Sequence, residues 1–141
     1  MVALRAEAEG GDAQSMCELA QRYDRGTHGL KKDFAQSFKW FKRAADLKNR
    51  CGLTNSGIAY LNGEGVERSC PRGIAMLGAA AALGSEHACG LLGMANAEGH
   101  YGFDEDPQEA TRWYREMQEC DTRDSLDTLR EQAAAWLREH P

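Results

Sequence analysis

Apolar residues recur along this chain at intervals of three, four and seven, with polar residues between them. Those intervals place the apolar side chains on one face of an α-helix and turn the polar side chains away from it. Helices are predicted near residues 12–25, 33–47, 49–62, 70–83, 85–98 and 107–119, with a last helix near 123–140. The pattern therefore predicts an all-helical protein.

The helical pattern also repeats. Each repeat is predicted to contain a first helix and a second helix. Near the end of each first helix stands a small residue, followed six positions later by a Gly. The small residues are Ala20, Gly57 and Gly93, so the period is 37 and then 36 residues. A small side chain there lets another helix approach closely. Self-similarity at such a period is typical of stacked helix–turn–helix repeats.

Each predicted helix begins at a residue whose side-chain oxygen can accept from the exposed N–H groups of the first turn. These N-cap candidates are Asp12, Asn49 and Ser85 for the first helices, and Asp33, Ser69 and Asp106 for the second helices. Pro107 suits the first helical position, and Glu109 is placed to complete a capping box with Asp106. Gly26, Gly63 and Gly99 are predicted to end the first helices in a left-handed conformation.

The repeats form one repeat domain, which we predict to be a solenoid of stacked helix–turn–helix units. Its segments are a partial repeat or N-terminal cap at 1–10, repeats at 11–47, 48–83 and 84–120, and a C-terminal capping helix at 121–141. The capping helix is predicted from one apolar stripe, formed by Leu126, Leu129, Ala133, Trp136 and Leu137.

This arrangement resembles the Sel-like repeat family (SLR, or "Sel-one-like" repeat), a relative of the tetratricopeptide repeats. The first repeat carries the fullest set of matching residues: Gly11-Asp12-Ala13, Tyr23, Gly26, Asp33, Trp40-Phe41 and Ala44-Ala45. The resemblance implies a tetratricopeptide-like α/α superhelical solenoid, built as a right-handed stack of antiparallel helix pairs, that acts as an adaptor or scaffold in protein complexes.

The five cysteines are odd in number, and no two form a Cys-x-x-Cys pair. We therefore expect reduced cysteines that pack as small apolar residues. The alternative is a metal site or disulfide at Cys51 and Cys89, with His87 nearby. Some cysteine-rich members of the resembled family are secreted, and enzymatic activity has been suggested for a few, but those carry a regular Cys pair in every repeat. Neither the disulfides nor the activity of those members is expected here.

The net charge of −5 argues against a nucleic-acid partner and against attachment to an anionic membrane surface. No apolar stretch approaches the roughly 20 residues that span a bilayer, so membrane insertion is not expected. The N-terminal residues lack a signal-peptide core. We expect an intracellular protein, cytoplasmic or organellar, if the chain is complete, and an exported one if a leader has been removed.

No catalytic residue can be named, because the sequence shows neither a phosphate-binding Gly-x-x-x-x-Gly-Lys-Ser/Thr loop nor a recognisable nucleophile arrangement. No enzyme activity, cofactor or metal is expected. The aromatic residues Tyr23, Trp40, Tyr60 and Trp113 stand at matched repeat positions, so we interpret them as core residues rather than as a binding ladder.

The expected function is therefore protein binding, as an adaptor or scaffold, through the concave face lined by the first helices. The residues predicted to lie outside the core stripe and to contact a partner protein or peptide are Gln14, Glu18, Gln21, Arg22, Asn55 and Asn62. The alternative is a structural fragment or subunit of a longer repeat array or large assembly, in which stacking rather than groove binding is the role.

Overall fold

The computed structural model describes residues 2–120 and 127–141, and in those ranges it contains eight helices and no strand. The helices are α1 (Val2–Glu9), α2 (Ala13–Arg25), α3 (Phe34–Asp46), α4 (Arg50–Asn62), α5 (Cys70–Ala82), α6 (Glu86–Glu98), α7 (Pro107–Glu119) and α8 (Asp127–Glu139). The bounds of α2 to α7 fall within one residue of those predicted. Residues 123–126 of the predicted last helix, including Leu126 of its stripe, lie outside the described residues.

Five of the six predicted N-caps are confirmed. In each, the side chain accepts a hydrogen bond from a backbone N–H of the first turn, with N···O distances between 2.9 and 3.4 Å. The five residues are Asp33, Asn49, Ser69, Ser85 and Asp106. Pro107 occupies the first turn of α7, as predicted.

Two details of the capping prediction are wrong. Asp12 makes no side-chain cap, because its carboxylate accepts from the Ser15 hydroxyl instead. Glu109 does not complete a capping box: its carboxylate pairs with Arg112 at 2.7 Å. The backbone N–H of Asp106, which Glu109 would have bound, donates to the Asn96 carbonyl.

The first helices end as predicted, with Gly26, Gly63 and Gly99 in the left-handed region at φ of 67°, 70° and 70°. Glycine adopts this conformation without a steric penalty because it lacks the Cβ that other residues carry. In each repeat, the N-cap residue of the second helix then donates its backbone N–H to a carbonyl three residues before that Gly. The three pairs are Asp33 with Tyr23 at 2.9 Å, Ser69 with Tyr60 at 2.9 Å, and Asp106 with Asn96 at 2.8 Å.

The chain forms two compact units, Met1–Met76 and Leu77–Pro141. The core of the first unit includes Leu4, Ala8, Met16, Cys17, Leu19, Ala20, Trp40, Phe41 and Ala44. The core of the second unit includes Cys89, Ala110, Tyr114, Met117, Leu129 and Ala133. Trp40 and Tyr60 are buried, while Tyr23 and Trp113 are partly buried against these cores. The aromatic residues are therefore core residues, as the repeat pattern predicts.

Helix α8 is bound to the second unit by apolar and ionic contacts. Leu129 and Ala133 lie in the core, and the Arg130 guanidinium donates to both carboxylate oxygens of Glu86 at 2.9–3.0 Å. The Glu86 side chain is only 4% exposed, so this bidentate pair satisfies a charge that would otherwise be costly to bury.

Small residues do allow close helix contact in the second unit. A Cβ added to Gly93 of α6 would lie 2.6 Å from ring atoms of Tyr114 of α7, well inside van der Waals contact. By contrast, a Cβ on Gly78 of α5 would meet nothing within 4 Å.

These two glycines give a matched pair of variants. Gly93→Ala is expected to lower the free energy of unfolding by about 1–3 kcal/mol, because the added methyl overpacks the α6–α7 contact. Gly78→Ala is expected to raise it by about 0.5–1 kcal/mol, through helix propensity alone. Urea denaturation followed by circular dichroism measures both. Equal effects of the two substitutions would contradict the close contact at Gly93.

Candidate functional site

The six residues predicted to bind a partner lie on two helices of the first unit. Their set is called the α2–α4 face below: Gln14, Glu18, Gln21 and Arg22 on α2, and Asn55 and Asn62 on α4. On α2 they follow the spacing of a single helical face. Helix α4 lies directly against α2.

A disulfide between Cys17 and Cys51 joins α2 to α4, with the two Cα atoms 6.4 Å apart. The expectation of five reduced cysteines is therefore wrong. The alternative pairing of Cys51 with Cys89 is also wrong. The Cys89 sulfur lies 4.0 Å from the Cys120 sulfur, within the second unit. Cys17 and Cys51 are 34 residues apart, one helical turn short of the repeat period, so the repeat itself brings them together. A bond closing a loop of that length contributes about 3–4 kcal/mol in the chain-entropy account.

Two of the predicted binding residues meet at this disulfide. The Asn55 amide donates to the Cys51 carbonyl at 2.9 Å and lies 3.5 Å from the Cys51 sulfur. The Gln21 amide approaches the same sulfur from α2 at 3.8 Å. The structure thus brings Gln21 and Asn55 together across the helix pair.

The other four predicted residues do not converge on that point. Glu18 and Arg22 form an ion pair of 2.8 Å along α2. The Asn62 amide donates to the Glu64 carboxylate at 3.0 Å, and Gln14 is exposed. The Glu18 side chain is 51% exposed and that of Arg22 is 19% exposed, and a surface ion pair of this kind adds little stability.

Beside the α2–α4 face lies a cavity of about 80 Å³ between α2, the start of α3 and α4. Its polar walls are Asp24, Ser37, Asn55 and Glu64, and we call it the acceptor cavity. Its apolar walls include Phe34, Phe38 and Ile58. Asn55 is the one predicted binding residue that lines it.

The Asp24 carboxylate is half-buried here, and no described residue forms a hydrogen bond or ion pair with it. Burial raises the pKa of the Asp24 carboxyl above its ordinary value of 3.8, and the negative charge of Glu64 raises it further. The positive charges of Lys32 and Arg25 offset part of this shift. An ionised Asp24 is therefore under electrostatic strain in the folded protein.

Sequence reasoning missed this cavity, although the repeat alignment contained a signal. Asp24 aligns with Leu61 and Ala97 in the other two repeats, so an acidic residue stands where the other copies are apolar. The cavity also needs residues from three helices and the Gly63–Gly65 turn, whose packing the spacing alone does not reveal.

Among the residues that the structure describes, no three His, Cys, Asp or Glu side chains lie close enough to hold a metal ion. None of the helices in the same ranges is long and apolar enough to cross a membrane.

The chain was compared with known families and proteins. A family model described as the Sel1 repeat matches residues 13–49, 52–85 and 87–117. HcpC of Helicobacter pylori, whose name assigns it provisionally to the beta-lactamases, is 49% identical over 37 residues. That match covers 26% of this chain and 13% of HcpC, a stretch about as long as one repeat.

Two solved structures share the fold. A Sel1 repeat protein from Oxalobacter formigenes has a TM-score of 0.72 at 33% identity, over 77% of this chain and 44% of that one. The protein c5321, a protective antigen of uropathogenic Escherichia coli strains with an SLR fold, has a TM-score of 0.75 at 32% identity, over 83% and 25% of the two chains. The chain thus spans less than half of these relatives, and the predicted all-α repeat fold is confirmed.

The electrostatic strain at Asp24 generates a prediction for stability. Because the folded-state pKa is raised, the folded protein holds its proton to higher pH than the unfolded chain does. Stability should therefore fall as pH rises from about 3.8 through the raised pKa. Asp24→Asn removes the titrating charge, so the variant should melt above the wild type at pH 7, and the gap should close towards pH 3.

Thermal melts across that pH range measure the effect. The control is Asp46→Asn, which removes an exposed carboxylate paired with Lys42 at 2.6 Å. A lower melting temperature for Asp24→Asn than for the wild type at pH 7 would show that the carboxylate is stabilised by its surroundings instead.

Proposed function

The chain belongs to the Sel1 repeat family, whose members are commonly protein-interaction modules, and we propose that its α2–α4 face binds a partner protein or peptide. The observation that carries the proposal is the covalent junction of α2 and α4 at Cys17–Cys51, with the amides of Gln21 and Asn55 beside it. A surface fixed before binding loses less conformational entropy on binding, which favours affinity.

The chemistry of the face suits a polypeptide. Side-chain amides such as those of Gln14 and Asn62 both donate and accept hydrogen bonds, as the backbone of an extended or helical partner requires. Glu18 and Arg22 add one charge of each sign. Such charges orient a partner and raise its association rate more than they raise its affinity. With a net charge of −5, the chain does not favour a nucleic-acid partner.

The proposed role is non-catalytic. Sel1 repeat proteins are generally repeat scaffolds without a catalytic site. The beta-lactamase name belongs to HcpC, which this chain matches over 37 residues only. A match of about one repeat in length covers the residues that define the repeat itself, which in this chain are core, cap and turn residues.

A pair of charge-swap variants tests the proposal. Glu18→Arg with Arg22→Glu reverses the polarity of the α2–α4 face while keeping the ion pair and the net charge. Lys42→Asp with Asp46→Lys makes the same exchange on α3, at another exposed pair of the first unit. Affinity capture with each variant, followed by quantitative mass spectrometry, compares the proteins retained.

Proteins retained by the wild type and the α3 swap, and lost with the α2 swap, are the expected result, because partner contacts on α2 would meet reversed charges. Retention unchanged by the α2 swap would contradict binding at this face. Self-capture alone, with sedimentation showing association of the chain with itself, would favour the alternative role of stacking in a larger array.

A further inference from the structure

The acceptor cavity offers hydrogen-bond acceptors and lacks matching donors. The Asp24 carboxylate has no donor among the described residues, and the Glu64 carboxylate receives one hydrogen bond, from Asn62 at 3.0 Å. The Asn55 amide nitrogen already donates to the Cys51 carbonyl, which leaves its oxygen as the available group. A ligand that fills this cavity must therefore supply donors.

A second polar group of the cavity is also unmatched. Ser37 of α3 is 3% exposed and lines the cavity, yet its hydroxyl makes no hydrogen bond within residues 2–120 and 127–141. This hydroxyl, independent of the two carboxylates, is a further polar group that a ligand in the cavity can bond.

The apolar walls favour a cation with a flat, weakly hydrated surface. Phe34 already attracts one cation, since the Lys32 ammonium lies 4.8 Å from the centre of its ring. Phe38 packs edge-on against Tyr60, with ring centres 5.2 Å apart, which fixes the position of this wall. A planar guanidinium stacks on aromatic rings and pairs with carboxylates at its edge, whereas an ammonium is compact and strongly hydrated.

From these contacts we propose that the acceptor cavity binds the guanidinium of an arginine side chain carried by the partner polypeptide. Asp24 and Glu64 accept from its N–H groups, Ser37 and Asn55 accept at its edge, and the rings of Phe34 and Phe38 flank its plane. A cavity of about 80 Å³ admits a group of this size and excludes a whole residue. This inference rests on the proposed function, because it names the chemistry of the partner at the edge of the same face.

The experiment uses the tripeptide acetyl-Gly-Arg-Gly-amide as its probe. Its comparison compound carries citrulline, which has the shape of arginine without the charge. Each is titrated into the ¹⁵N-labelled full chain up to roughly tens of millimolar, while the backbone amide shifts are followed. Saturable shifts at residues 24, 37, 55 and 64 are expected with the arginine peptide, and binding at least about tenfold weaker with the citrulline peptide.

Three variants complete the design. Asp24→Asn and Glu64→Gln should each weaken arginine binding about tenfold, while Asp46→Asn, on the exposed surface of α3, should leave it unchanged. Asp24→Asn is expected to be more stable than the wild type, so its loss of binding would not reflect unfolding. Equal binding of the citrulline peptide, no saturable shift, or full binding to both cavity variants would overturn the proposal.

The inference and the proposed function can fail separately. If the arginine peptide binds as expected but capture is unaffected by the α2 charge swap, the cavity proposal stands and the face proposal fails. If capture depends on the α2 swap but not on Asp24→Asn, the face binds a partner whose arginine does not enter the cavity.

Discussion

One backbone hydrogen bond, made three times, is the constraint on which the rest of the structure depends. In each repeat the N-cap residue of the second helix donates its backbone N–H to a carbonyl near the end of the first helix. Because the bond uses backbone atoms, it tolerates Tyr23, Tyr60 or Asn96 at the acceptor position. A left-handed Gly and this bond together fix each hairpin of helices. In the first repeat they also hold the end of α2 beside the start of α3, where Asp24 and Phe34 line the same cavity.

Sequence reasoning recovered what local chemistry determines. Helix bounds followed from apolar periodicity, and Asn49, Ser85 and Asp106 begin helices because their side chains accept first-turn N–H groups. It failed where a side chain had a choice of partner. Asp12 accepts from the Ser15 hydroxyl, and Glu109 pairs with Arg112, while the N–H that Glu109 was expected to bind donates to the Asn96 carbonyl.

The parts of the candidate site that were missed are formed by residues that lie far apart in the sequence and meet only when successive helices pack together. Paired cysteines are recognised in a sequence by close spacing, whereas Cys17 and Cys51 meet because they are nearly one repeat period apart. Asp24 was passed over because its significance lies in what surrounds it: Glu64 from a turn and Ser37 from another helix. Gln21 and Asn55 could be placed outside the core from the sequence because the helical face that a residue occupies follows from spacing alone.

Stability and recognition are opposed in this first unit. The disulfide stabilises the pair of helices that present the α2–α4 face, and the half-buried Asp24 carboxylate works against stability in the free protein. Groups held in unfavourable surroundings are common at binding sites, where a ligand supplies the missing interaction. In this proposal the repeat skeleton positions the candidate site, and polar residues that differ between repeats supply its chemistry.

The central claim is that a partner contacts the α2–α4 face while the Cys17–Cys51 disulfide is intact. Site-specific photo-crosslinking tests it most directly, with a benzophenone amino acid placed at Gln14 or Asn62, or at the exposed Lys39 of α3 as control. The account predicts crosslinks to the same protein from positions 14 and 62, none from position 39, and weaker ones after the disulfide is reduced. Crosslinks from position 39 alone, or equal yields from all three positions, would contradict it.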